Sequence, residues 1–290
     1  MTVQRTDWVE EFVAKFLGLP LAIDTILLRP QRRDRKNDKE VCDVLFALRR
    51  AGVAVSLKSQ QDPTMRSGAK LEAWCAKHAR AAAAQHGGAV RTLAESPLWC
   101  VHPRRGRVEI EAGALDLLHA VAALETREPM VLPPDLPERA PTSGVPFTYL
   151  STNDLLNIAV ELRAFPDIVA YLNARLRLPL AVRRTIGYER VLCTYYLLND
   201  ETFDGCDTVE AARAAIDARD GEWRQRLGEK KRLDGYATIV ESVANALVAV
   251  DAPQNLRLQE ELCDLRLGAR RVLGRAFEDV RARLAESAPP

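Results

Sequence analysis

Histidine is scarce in this chain and cysteine is unclustered. The four histidines offer no zinc-ligand spacing, and Cys42, Cys75, Cys100, Cys193, Cys206 and Cys263 include no C-x-x-C pair. This excludes a zinc ribbon or finger read from spacing. Six scattered thiols are expected to be buried structural residues of a protein kept in a reducing cytoplasm. Aromatics make up only 6% of the residues and none gather beside the basic segments, which argues against a platform for stacking single-stranded bases. No run of about 18 apolar residues is present, so neither a transmembrane helix nor a membrane partner is expected. The opening MTVQRTDWVEEF carries acids where a secretion signal needs a basic then an apolar stretch, and no signal peptide is expected. Internal repeats and low-complexity tracts are also missing.

What is present is apolar mass and a lopsided charge. With 47% hydrophobic residues, 290 residues can bury a full core, and the length suggests two domains. The net charge of +1 hides an asymmetry: residues 1–110 hold 19 basic and 12 acidic side chains, the remainder 22 and 28. The basic half has its charge in QRRDRKNDK (Arg32, Arg33, Arg35, Lys36), at Arg49 and Arg50, at Lys70 and Lys77, and at Arg104 and Arg105. These are candidate contacts to nucleic-acid phosphates, where cations supply most non-specific affinity. A solvated face is the ordinary alternative for each.

Residues 40–60, EVCDVLFALRRAGVAVSLKSQ, read as a β-hairpin: Val41 to Leu48 and Val53 to Gln60 around a turn of Arg49, Arg50, Ala51 and Gly52. A turn centred between Arg50 and Ala51 pairs Asp43 with Lys58. Strand alternation puts Ser56, Lys58 and Gln60 on one polar face, with Val55 and Leu57 facing a core. An exposed cross-strand ion pair is the plain reading of that arrangement.

The order of Glu40, Asp43 and Lys58, with a helix after them, resembles the PD-(D/E)xK superfamily of restriction-endonuclease-like nucleases, and within it the nuclease-related domains. Ser56 stands where the family carries an acid. One group of restriction enzymes has a Ser-x-Lys motif and takes the missing acid from the next helix, a position matched here by Glu72. The resemblance, over roughly residues 1–110, implies a nuclease that holds Mg²⁺ or Mn²⁺ through Asp43 and Glu72, with Glu40 as a further ligand. Lys58 would act on the attacking water, Gln60 would position water or substrate, and Ser56 completes the motif. DNA is the implied partner, in bacterial defence or DNA maintenance. The substitution at Ser56 leaves open a subunit that has lost hydrolysis and binds nucleic acid or assembles with a partner.

The fold class expected is α+β: an α/β restriction-endonuclease-like domain over residues 1–132, a proline-rich linker over 133–146, and a helical partner-binding or dimerisation domain over 147–290. In the first domain a helix is expected from Asp7 to Phe16, strands at Ala22–Leu28, Val90–Leu93, Pro97–His102, Val108–Ile110 and Met130–Leu132, and helices at Gly68–Gln85 and Gly113–Leu124. Gly87 and Gly88 read as the C-cap of the longer helix. Further on, helices are expected at Asp154–Arg163, Asp167–Arg177, Val182–Leu198, Val209–Ala218, Gly221–Lys230, Tyr236–Val250 and Leu256–Glu286. The last of these carries a three-four apolar spacing suited to packing or a dimer seam.

Overall fold

The computed structural model describes residues 25–33, 38–60, 66–126, 130–141, 143–185, 189–248 and 253–286. The helix expected at Asp7–Phe16 lies outside them. Among the described residues the fold is α+β, with a mixed sheet of eight strands and a mostly helical second half. The chain runs β1 (Ile26–Arg33), β2 (Asp38–Glu40), β3 (Val44–Leu48), β4 (Ala51–Lys58), α1 (Gly68–Glu95), β5 (Leu98–His102), β6 (Gly106–Ile110), β7 (Asp116–Leu124) and β8 (Phe147–Ser151). Helices α2 (Thr152–Leu162), α3 (Phe165–Arg177), α4 (Leu180–Thr185), α5 (Glu189–Leu198), α6 (Val209–Val248), α7 (Pro253–Asp264) and α8 (Leu267–Glu286) follow. No helix among the described residues is long and apolar enough to cross a membrane.

The strand order is β6-β5-β1-β3-β4-β7-β8, with β2 paired to β1. The pairs from β6 to β4 are antiparallel, whereas β4–β7 and β7–β8 are parallel. Strand alternation sorts the core into two faces. Val44 and Phe46 of β3, Val53, Val55 and Leu57 of β4, and Val121 and Ala123 of β7 pack against Leu155, Ile158, Tyr171, Cys193, Val240 and Leu262 of the helical half. Leu45 and Ala54, from the same strands, face Ala89 and Leu93 of α1. Because the sheet is covered on both sides, Ser56 is as buried as its apolar neighbours.

Several expected boundaries move. Residues Gly113–Leu124, expected as a helix, contain β7, a parallel strand buried between β4 and β8. Such a strand carries a continuous apolar run without alternation, and Ala and Leu disguise it. Helix α1 runs through Gly87 and Gly88 to Glu95, so Val90–Leu93 is helical, and Met130–Leu132 forms no strand. Strand β1, expected at Ala22–Leu28, extends to Arg33, well into the stretch expected as a basic loop. Three expected helices merge into the 40-residue α6, and Leu256–Glu286 divides into parts of α7 and α8. The expected linker is packed structure: Leu136 and Ala140 are buried, Tyr149 donates to the Pro137 carbonyl, and β8 beyond it completes the sheet.

Helices α6 and α8 meet at Gly274, where an added Cβ would collide with the Tyr236 backbone carbonyl. Alanine at 274 is therefore expected to cost about 1–3 kcal/mol despite being the better helix former. Alanine at Gly268, where a Cβ meets nothing within 4 Å, is the matched control. Thermal unfolding of the two variants should place Gly274→Ala well below wild type and Gly268→Ala at or above it.

Candidate nucleic-acid interface

The β3–β4 hairpin turns through only Arg49 and Arg50, with Arg49 in the left-handed region at φ 53°. Leu48 pairs with Ala51 and Val44 with Val55, so the register carries Asp43 to the level of Ser56, two residues short of Lys58. Ala51 and Gly52, expected in the turn, both belong to β4. Asp43 also leaves the regular strand. Its Oδ2 accepts the Leu57 amide at 2.6 Å, its own amide donates to Val55 O at 3.1 Å, and its carbonyl accepts from Arg29. The carboxylate thus takes the place of a backbone acceptor within the ladder, and no Asp43–Lys58 ion pair forms.

Lys58 ends β4 and turns towards α1, where its Nζ donates to Gln85 Oε1 at 2.9 Å. Gln85 Nε2 in turn donates to the Val41 carbonyl at 3.4 Å, which orients the amide oxygen towards the ammonium. The ammonium also reaches into its surroundings electrostatically. Burial, then Lys77, Lys58 and Arg66, lower the His78 pKa, and burial is the main cause that lowers His86 to about 4. Ser56 is fully buried and its Oγ has no hydrogen-bond partner.

The other expected site residues are placed elsewhere. Gln60 is buried and already engaged: its Nε2 donates to Glu125 O at 2.8 Å, its amide donates to Glu125 Oε2 at 3.1 Å, and its Oε1 accepts from Arg66. Glu72 is exposed near the start of α1, 13 residues before Gln85, and about 20 Å from it along the helix axis at 1.5 Å per residue. Glu40 is exposed at the end of β2. Among the described residues no three His, Cys, Asp or Glu side chains converge as a metal site. The Mg²⁺ or Mn²⁺ implied by the resemblance would need Asp43 and Glu72 together. One of these carboxylates is bound into the ladder and the other stands at the far end of a helix, so this donor set does not fit the ion.

A cleft of about 270 Å³ opens between the β1–β2 edge and the second half of α1. Arg32, Lys39 and Glu40 line one side, and Gln85, Gly88 and Arg91 the other. Gln85 links the cleft to Lys58. Of the basic residues singled out in the sequence, Arg32 lies here among those the structure describes. Arg49 is taken up by Glu261 at 2.7 Å and Asp264 at 2.9 Å on α7, at the opposite end of β4 from Lys58. Arg50 bonds Asp116 and the Gly113 carbonyl, and Arg104 donates to Asn245 of α6. Arg105 lines a separate cavity that Gln259 and Glu260 of α7 share. Lys70 and Lys77 are exposed on the N-terminal half of α1. The backbone of Arg33 belongs to β1, while Arg35 and Lys36 lie outside the described residues.

Gln85, Arg91 and Glu125 carry parts of this site and were not singled out in the sequence. Gln85 was the expected last residue of a helix, Arg91 fell in an expected strand, and Glu125 follows the strand read as a helix. Comparison with family models, curated proteins and solved structures found no match.

Proposed function

We propose that this chain binds nucleic acid by its phosphate backbone, through the cleft beside Lys58, on a unit of restriction-endonuclease-like arrangement. The observation that carries the reading is the cleft itself: among the described residues Arg32, Lys39 and Arg91 line it with Glu40, and Gln85 holds the Lys58 ammonium beside it. Phosphodiester oxygens are strong acceptors for such cations, and binding releases counterions from the strand. The succession of Asp strand, Lys strand and helix in a mixed sheet supports the family reading. The six cysteines, all free and buried, support a cytoplasmic location.

Metal-dependent DNA hydrolysis is the second reading. The order of Asp43 and the Ser-x-Lys run, which carries the family resemblance, favours it, although Asp43 and Glu72 do not come together as ligands. One experiment separates the two readings. Labelled DNA is titrated with wild type and Lys58→Ala across a salt series, with EDTA and with Mg²⁺, and the products are run on a gel. The binding reading expects metal-independent retention, an affinity about tenfold lower in Lys58→Ala, and a salt slope reduced by about one. Cleavage by wild type with Mg²⁺ that is lost in Lys58→Ala would establish the nuclease instead, and equal retention of both proteins would refute the Lys58 cleft.

A further inference from the structure

We infer that the cleft receives a terminal phosphate of a nucleic-acid strand, so that the protein is selective for phosphorylated ends. This rests on the reading of the cleft as a nucleic-acid site. Its first support is charge. Among the described residues that line it, Arg32, Lys39 and Arg91 against Glu40 leave a formal +2. A phosphomonoester carries about −1.5 to −2 at pH 7, whereas each phosphate within a strand carries −1. No ion pair among the described residues takes up Lys39 or Arg91, and both line the cleft. Size is the second support: at about 270 Å³ the cleft falls just under the range of sites that enclose whole drug-sized ligands, which suits a phosphate and its sugar.

The third support comes from the backbone. Gly88 lies inside α1, seven residues before its end at Glu95, where glycine is the poorest helix former after proline. No packing demands it, since a Cβ there would meet nothing within 4 Å. Yet Gly88 lines the cleft. The missing side chain leaves room beside Arg91 and Gln85, and a long side chain at 88 would fill the space a phosphate needs without disturbing the core.

The test compares oligonucleotides of one sequence ending in 5′-phosphate, 3′-phosphate or hydroxyl groups only, bound at fixed salt to wild type, Gly88→Leu, Gly88→Ala and Arg91→Ala. Wild type should bind one phosphorylated end at least fivefold more tightly than the hydroxyl-ended strand, and the 5′ and 3′ arms identify which end. Gly88→Leu and Arg91→Ala should lose that preference. Gly88→Leu should keep a Tm equal to wild type or higher, which rules out misfolding as the cause. Gly88→Ala, with its shorter side chain, should keep most of the preference. Equal affinity of wild type for all three oligonucleotides would overturn the inference and leave the nucleic-acid reading intact, provided Lys58→Ala still weakens binding. No salt-sensitive binding to any of them would overturn both.

Discussion

Replacing Glu189 with alanine is expected to destabilise the protein by about 3–5 kcal/mol, through the loss of one partner of a buried ion pair. Glu189 and Arg175 are 4% and 6% exposed. The Glu189 carboxylate accepts from Arg175 Nε at 2.6 Å and from the Tyr171 hydroxyl at 2.5 Å. Without it the Arg175 guanidinium keeps only the Arg183 carbonyl, and the buried Tyr171 hydroxyl loses its acceptor beside buried Tyr196 and half-buried Phe203. Burial, reinforced by Glu189, raises the Tyr171 phenol well above its ordinary pKa. Glutamine at 189 retains an acceptor oxygen but not the charge, so its cost should be smaller. Arg50→Ala, which opens an exposed pair with Asp116, should cost less than about 1 kcal/mol. Urea unfolding would rank the three variants by midpoint at unchanged slope.

Stability should also fall by roughly 3 kcal/mol between pH 6.5 and pH 4, because His86 is buried in its neutral form. Its Nε2 donates to the Val121 carbonyl at 3.2 Å, and its Nδ1 is buried without a partner. Burial, joined by Lys58, lowers the pKa from 6.5 to about 4, and the Val121 bond opposes the shift. A depressed histidine pKa means that the unfolded chain takes up the proton first. Its contribution is complete above pH 6.5 and declines as pH falls, by about 1.4 kcal/mol per unit, until the folded protein also protonates near pH 4. His119, lowered by burial although Asn173 partly offsets the shift, acts in the same direction. Unfolding midpoints at pH 7 and pH 4.5 should therefore differ strongly in wild type. In His86→Gln, which can still donate towards Val121, they should differ much less.

The α+β class, the hairpin and the helix after it were legible from local pattern, since strand alternation and helix composition are properties of neighbouring residues. What failed depended on distant partners. The apolar run of β7 has no alternation because β4 and β8 flank it and helices cover both faces, so its residues could not reveal a strand. Gly87 and Gly88 look like a helix end and are a gap in a helix wall, a distinction only the open space beside them makes. The register of Asp43 shifted by two because Arg49, without glycine's freedom, adopts the turn conformation, and its side chain then pairs with Glu261 and Asp264, more than 200 residues away. Sequence order placed Asp43 and Lys58 on adjacent strands. It could not show that the Asp43 carboxylate closes a ladder bond, or that Gln85 reaches back to the lysine.

Amine labelling of the protein with and without a short DNA duplex at low salt, read by mass spectrometry, tests the central claim most directly. Lys39, exposed on the cleft wall, should be protected by DNA, while Lys231, exposed on α6, should label at the same rate in both samples. Protection confined to Lys39 and its neighbours in the cleft is the result the account predicts. Unchanged labelling of Lys39 while DNA is demonstrably bound would contradict it and move the interface elsewhere on the protein.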